Sequence, residues 1–231
     1  MALTEYEKYI RTEELLGLQK PADQLTTHDE LQFQIVHQVA ELWMKLIAHE
    51  LHDAVDHMQA DRTCRATHSL DRVNRIMRLL AQQLDLLDTM APRDYMTIRT
   101  GLGRGSGQES PGFRTLLRLP GELVWPAFSA FLDRQGVPLR ALYEEPHQHA
   151  ELFRLCEALV DYDQLLQSWR QRHLLLVYRI IGAGTPSLKG KPSEILAHGA
   201  KQRFFPALWD VRDQVFEEWT RTMKGDPGYH G

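Results

Sequence analysis

The sequence predicts an all-α protein. Long stretches free of Gly and Pro, apolar residues recurring every three to four positions, and no sustained alternating run of strand length point the same way. Residues 5–19 carry Tyr6, Tyr9, Ile10, Leu15, Leu16 and Leu18 in an amphipathic pattern that Pro21 stops. Thr27, with Glu30 three residues on, reads as a capping box opening the next helix. From Leu31 to Met58 there is no Gly or Pro, and Leu31, Ile35, Val39, Leu42, Leu46 and Leu51 recur at helical spacing. Over 63–90, Leu70, Val73, Ile76, Met77, Leu80, Leu84 and Leu87 form one face, and Ala91-Pro92 ends it. A short helix over 93–100 follows. The segment GLGRGSGQESPG then holds four Gly and two Ser ahead of Pro111, a loop composition that often carries function. Helices over 122–134, 151–181 and 204–223 complete the pattern. They are separated by Gly136-Val137-Pro138 and by the glycine-containing loop GTPSLKGKP. No repeat or low-complexity linker divides the chain, so 1–231 reads as a single helical domain.

The composition narrows the function classes. Of 231 residues, 43% are hydrophobic and 25% charged, as in ordinary soluble proteins. With 27 Lys+Arg against 31 Asp+Glu the net charge is −4, which argues against a dedicated nucleic-acid binder. Cys64 and Cys156 form no C-x-x-C zinc pattern and no disulfide framework, and read as reduced thiols. The apolar run from His173 is far shorter than the roughly 20 residues of a spanning helix, and the first residues lack a signal-peptide core. A cytoplasmic protein with no membrane partner is expected.

Several residues stand out chemically. His49, Asp53 and His57 follow one another at i, i+4 and i+8, which is metal-ligand spacing; the neighbouring Glu50, His52 and Asp56 make a solvated face the plainer reading. A di-iron bundle needs Glu-x-x-His on its helices, and no histidine on the long helices here has a Glu three residues before it. His37 lies among Phe33, Ile35, Val36, Leu42 and Trp43, and on its own helix reads as a core histidine. His173 opens the apolar turn Leu174 to Val177. Two histidines on separate long helices in apolar surroundings could bracket a flat cofactor, one as axial iron ligand; other buried roles stay open. Tyr95 and Arg99, at i and i+4, share a face suited to a carboxylate, though a surface arginine is the plainer reading. No P-loop, nucleophile elbow or dinucleotide fingerprint is present.

These segments resemble one known family. HDELQFQIVHQVAELWMKLIAHEL is similar to the signature of the tryptophan 2,3-dioxygenase family. YEKYIRTEELLGLQKP, MAPRDYMTIRTGLGRGSGQESPGFR, CEALVDYDQLLQSWRQRHLLLVYRIIG and FFPALWDVR resemble its other blocks in order, over more than half of the chain. The resemblance implies an all-helical domain binding haem b, usually in a homotetramer. It sets His173 at the proximal iron ligand, His37 at the distal histidine, and Phe33 at the indole pocket. Arg99 and Tyr95 fall on the pair that holds the substrate carboxylate, and Ser106 on the small loop residue near the haem. Thr185 corresponds to the family's loop threonine. Tyr6 and Tyr9 match tyrosines that reach a neighbouring subunit's site, which implies a homo-oligomer, tetramer or dimer, with the helix over 5–20 contributing to a neighbour.

Two departures accompany the likeness. GAGTPSLKGKP replaces the family's GTGGSS-type loop, and the segment between Arg114 and Leu155 is much shorter. The resemblance implies a haem-dependent oxygenase that cleaves the indole C2–C3 bond of L-tryptophan, or a close derivative, with O2. A haem monooxygenase hydroxylating a substituted tryptophan or tyrosine is the alternative, and a haem-binding sensor or carrier the non-enzymatic one. Phe33 and Leu174 to Val177 are expected to wall the site.

Overall fold

The computed structural model describes residues 3–103, 105, 107–184, 199 and 201–224. No strand occurs among them. Two short helices, α1 (Glu5–Ile10) and α2 (Thr12–Leu16), stand where one was expected over 5–19. Arg11 adopts a left-handed backbone with φ 54°, a conformation no helix can run through. The capping box that the sequence does form here is Thr4 with Glu7.

The frame is made of three long helices. α3 (Asp29–Gln59) buries Val36, Met44, Ile47, Leu51, Ala54, Val55 and Met58, a run of three- and four-residue steps along one face. Its entry differs from expectation by one residue. Thr26, not Thr27, meets Glu30, with its N–H and its hydroxyl both donating to Oε2 at 2.7 and 2.8 Å. α4 (Thr63–Gln82) buries Leu70, Val73, Ile76, Met77 and Leu80 and lies between α3 and the third long helix. The sequence face over 63–90 breaks after Gln82, and α5 (Leu84–Leu87) carries it on. α6 (Pro92–Gly101) follows, with Pro92 in its first turn, where the missing N–H costs nothing.

α7 (Pro111–Leu119) starts with Ser110 as its cap. Leu119-Pro120 does not interrupt the helical path. A π-helical turn over Pro120–Val124 absorbs the proline and leads into α8 (Trp125–Gln135). Gly136, at φ 66°, supplies the left-handed end that a side chain would resist. α9 (Leu139–Glu144) is an element the sequence reading missed. α10 (Ala150–Ile181) is the third long helix, and α11 (Pro206–Lys224) closes the described chain.

α10 packs along α4, and Asn74 fixes the pairing by donating to the Ala158 carbonyl at 2.9 Å inside the core. Asp163, fully buried on α10, docks the start of α11. It accepts from the N–H groups of Phe204 and Phe205 at 3.1 and 3.3 Å and from the Trp209 indole at 2.8 Å. The main core runs from Met44 to Val215 and includes Phe128, Phe131 and Tyr162. A smaller one gathers Val36, Leu84, Leu87, Met90, Ile98 and Leu176, with Phe33 and Tyr95 against it. Both cysteines are free, Cys64 exposed and Cys156 buried. Among the described residues no helix is long and apolar enough to cross a membrane.

Candidate functional site

A cavity of about 360 Å³ opens between the small core and α7. α3 supplies Val36, His37, Ala40, Glu41 and Met44; α5 supplies Leu84 and Leu87; α7 supplies Phe113, Arg114 and Leu117; α10 supplies Trp169, Arg170 and His173. The structure therefore brings His37 and His173, which are 136 residues apart in sequence, into the walls of one cavity. The walls are mostly apolar, but they are not the expected ones. Leu174 to Val177 and Phe33 do not line the cavity: Leu176 is buried in the small core instead, and Phe33 packs against that core.

The two histidines are held by different means. The Nδ1 of His37 lies 2.7 Å from the Phe33 carbonyl. A carbonyl only accepts, so Nδ1 carries the proton and Nε2 is left with its lone pair. The His37 ring is reached from the cavity, yet protein around it displaces enough water that burial lowers its pKa below the ordinary histidine value. The Phe33 hydrogen bond and the nearby Glu41 charge oppose that shift. Among the described residues His173 has no such backbone bond. Its ring stacks on Trp169, four residues earlier on α10, at 5.4 Å between centroids and an interplanar angle of 7°. Burial pushes His173 down to about 4, and His37 across the cavity adds to the shift. Both imidazoles are neutral at neutral pH. Trp169 is itself fixed: its indole N–H donates to the Leu80 carbonyl at 3.2 Å, one of the last-turn acceptors that α4 cannot satisfy internally. The ion pair of Arg172 with Asp85 ties α10 to α5.

Other expected site residues fall close by. Phe33 packs on the His37 ring at 4.1 Å and lies 6.2 Å from the Tyr95 ring. Burial raises the Tyr95 pKa, and the Arg99 charge beside it works the other way. Phe33, Tyr95 and Arg99 thus form a group next to the cavity on the His37 side. Tyr6 and Tyr9 are 71% and 88% exposed, and neither lines the cavity. Ser106 and Thr185 lie outside the described residues.

Two residues the sequence reading passed over belong to the site. Glu41, one turn after His37, accepts from the Gly112 N–H at 2.9 Å and from the Ser110 hydroxyl. Its position on the His37 face was the available signal. Arg170 lies on the α10 wall with its Nη1 buried and without a hydrogen-bond partner among the described residues. The run His49, Asp53, His57 builds no metal site: Asp53 takes the Ser69 hydroxyl at 2.5 Å and lies 3.4 Å from His57. Among the described residues no cluster of three metal-ligating side chains occurs.

Comparison with known proteins decides the family. The model of the family "Tryptophan 2,3-dioxygenase" matches residues 1–123, a span that contains Phe33, His37, Tyr95 and Arg99. The chain belongs to the tryptophan 2,3-dioxygenase family. It is 32% identical to the tryptophan 2,3-dioxygenase of Myxococcus xanthus, over 92% of this chain and 90% of that one. It is 34% identical to the enzyme of that name from Erythrobacter litoralis and 33% to that from Caulobacter vibrioides, over 91% of this chain and 98% of each relative. The first alignment spans 263 positions against the 231 residues here, so that relative carries internal residues with no counterpart in this member of the family.

Proposed function

We propose that this chain is a haem-dependent dioxygenase that opens the indole ring of L-tryptophan, or a close indole amino acid, with O2. The observation that carries the reading is the pair of neutral histidines from α3 and α10 in the walls of one largely apolar cavity. The residues fit haem. A neutral imidazole is an iron donor, and apolar walls suit a porphyrin. The buried Arg170 Nη1 lacks an acceptor among the described residues, and haem carries two carboxylates. His173 would hold the iron.

When bound, haem supplies the redox chemistry that activates O2. The protein's part is to bind, orient and keep water out. His37 presents Nε2 as an acceptor and would take the indole N–H, fixing the ring's tilt without acting as an obligatory base. Arg99 and Tyr95 would hold the amino-acid carboxylate, Arg through paired hydrogen bonds. Phe33, between His37 and Tyr95, would pack on the indole. Holding the substrate at both ends turns a chance encounter into an oriented one. Val36, Leu84, Leu87 and Leu117 limit water. Ser106 and Thr185 are assigned to the loops beside the site by resemblance. The exposed Tyr6 and Tyr9 suit a homo-oligomer in which they meet a neighbouring copy.

The test is a product mass spectrum from haem-loaded, reduced protein given L-tryptophan and ¹⁸O2. Two labelled atoms in a ring-opened product are expected. One labelled atom in a closed ring would replace this reading with the monooxygenase. Firm haem binding with no product would replace it with a haem carrier.

A further inference from the structure

We infer that the first turn of α7 is the spacer that sets the separation of the His37 and His173 walls, and that Glu41 is the positioning residue that seats it. This rests on the haem reading of the cavity.

α3 and α10 each pack along α4, which closes one side of the gap between them. On the other side α7 packs against α3 and lines the same cavity. The seat on α3 is a single carboxylate. Glu41 Oε2 accepts from the Gly112 N–H at 2.9 Å, and Oε1 accepts from the Ser110 hydroxyl. The Ser110 oxygen in turn accepts from the Phe113 N–H at 2.9 Å. Two of the N–H groups that the start of a helix leaves without internal partners are thereby used. The seat has no slack: a Cβ on Gly112 would stand 2.6 Å from Glu41 Oε2 and 2.8 Å from the Met44 Cβ.

The far end of the same turn reaches α10. The Phe113 ring packs on Trp169 at 5.2 Å, and Trp169 stacks on His173. A continuous chain of contacts thus runs from Glu41, one turn from His37, to the His173 ring. Both Glu41 oxygens are engaged in holding the start of α7, so the carboxylate acts as a fastener. A gap that must hold a macrocycle, O2 and an indole in register tolerates little drift, since about 1 Å of misplacement can cost about a hundredfold in rate.

The experiment compares Glu41→Ala, Glu41→Gln and Gly112→Ala with the unmodified protein. Gln keeps an acceptor for Gly112 and a partner for Ser110, so it separates fastening from charge. In haem-free protein, the imidazole resonances of His37 and His173 are read by NMR with labelled histidine. In haem-loaded ferrous protein, the iron–histidine stretch reads the α10 wall and the stretch of added carbon monoxide reads the α3 wall. Both histidine signals, and both stretches, are expected to shift or split in Glu41→Ala and Gly112→Ala; in Glu41→Gln the His173 signal and the iron–histidine stretch are expected to stay near the unmodified values, while the α3-side signals register only the loss of the Glu41 charge. A lowered Tm with all four signals unmoved would reduce Glu41 to a structural role and overturn the proposal. Movement on the α3 side alone in Glu41→Ala and Gly112→Ala would overturn it too, by removing the link to His173. Failure of the unmodified protein to bind haem would overturn the cofactor reading, and the haem-free resonances would still decide the spacer.

Discussion

The two walls of the cavity solve the same problem differently. On α3, His37 is oriented by a hydrogen bond to its own helix, which fixes the tautomer and leaves Nε2 as an acceptor. On α10, His173 is oriented by a flat stack on Trp169, which fixes the ring plane and commits neither nitrogen. A hydrogen bond selects a proton position, which suits a residue that must receive a substrate N–H. A stack selects only a plane, which suits a residue whose lone pair belongs to a metal.

That contrast is broken most severely by His173→Ala. Loss of haem or of its normal axial ligation is expected, read in the ferrous absorption spectrum; an unchanged spectrum would end the assignment of His173. Next comes Arg99→Ala, beside the α3 wall. It is expected to raise KM for the amino acid by about ten- to a thousandfold, about 1.5–4 kcal/mol for a charged hydrogen-bonded pair, while the spectrum stays as it was. Equal turnover of tryptophan and its decarboxylated amine by the unmodified enzyme would count against this clamp. Trp169→Leu removes the stack and leaves the Leu80 carbonyl without its donor, and a loss of about 2–4 kcal/mol in denaturant unfolding is expected.

His37→Phe sharpens the comparison from the other side. A drop of about threefold to thirtyfold in kcat/KM is expected, with haem retained, because one hydrogen bond to substrate is lost. The pH profile carries the sign. Burial lowers the His37 pKa, so Nε2 remains an acceptor down to pH values below the usual histidine range and becomes a donor only beneath them. Activity should therefore fall on the acid side at a pH below 6.5, and that limb should be missing in His37→Phe.

The smallest expected effect lies at the entry of α3. Hydrogen bonds from Lys20 and Thr26 hold the Glu30 carboxyl at about 2, below the ordinary glutamate value of 4.5. This contribution to stability is present in full above about pH 4.5 and is lost as pH falls towards 2. Glu30→Gln should cost about 1 kcal/mol near neutrality, because Lys20 remains partly in solvent, and the gap in Tm should close by about pH 2.

Periodicity made the long helices legible, because α3, α4 and α10 each bury one continuous stripe. The errors arose where backbone conformation decides. Arg11 breaks a pattern that looked continuous. At the site, His37 and His173 were visible because a polar ring among apolar neighbours is conspicuous. Glu41 was not, since a glutamate on a long helix reads as surface until the loop that it fastens is seen against it. The cavity walls were misjudged because Leu174 to Val177 circle the helix, so one residue of that run, Leu176, turns into the small core.

Asp163 has a consequence for how the chain is made. Phe204, Phe205 and Trp209 follow it by 41, 42 and 46 residues. During synthesis, at about 5–20 residues per second, α10 is complete seconds before its partners leave the ribosome. Over that interval the carboxylate that will be fully buried keeps its water, and α10 has no lid at that end. Only arrival of the 204–209 segment supplies the donors that replace that water, so this end of the helix that carries His173 cannot be completed before the chain beyond it is made.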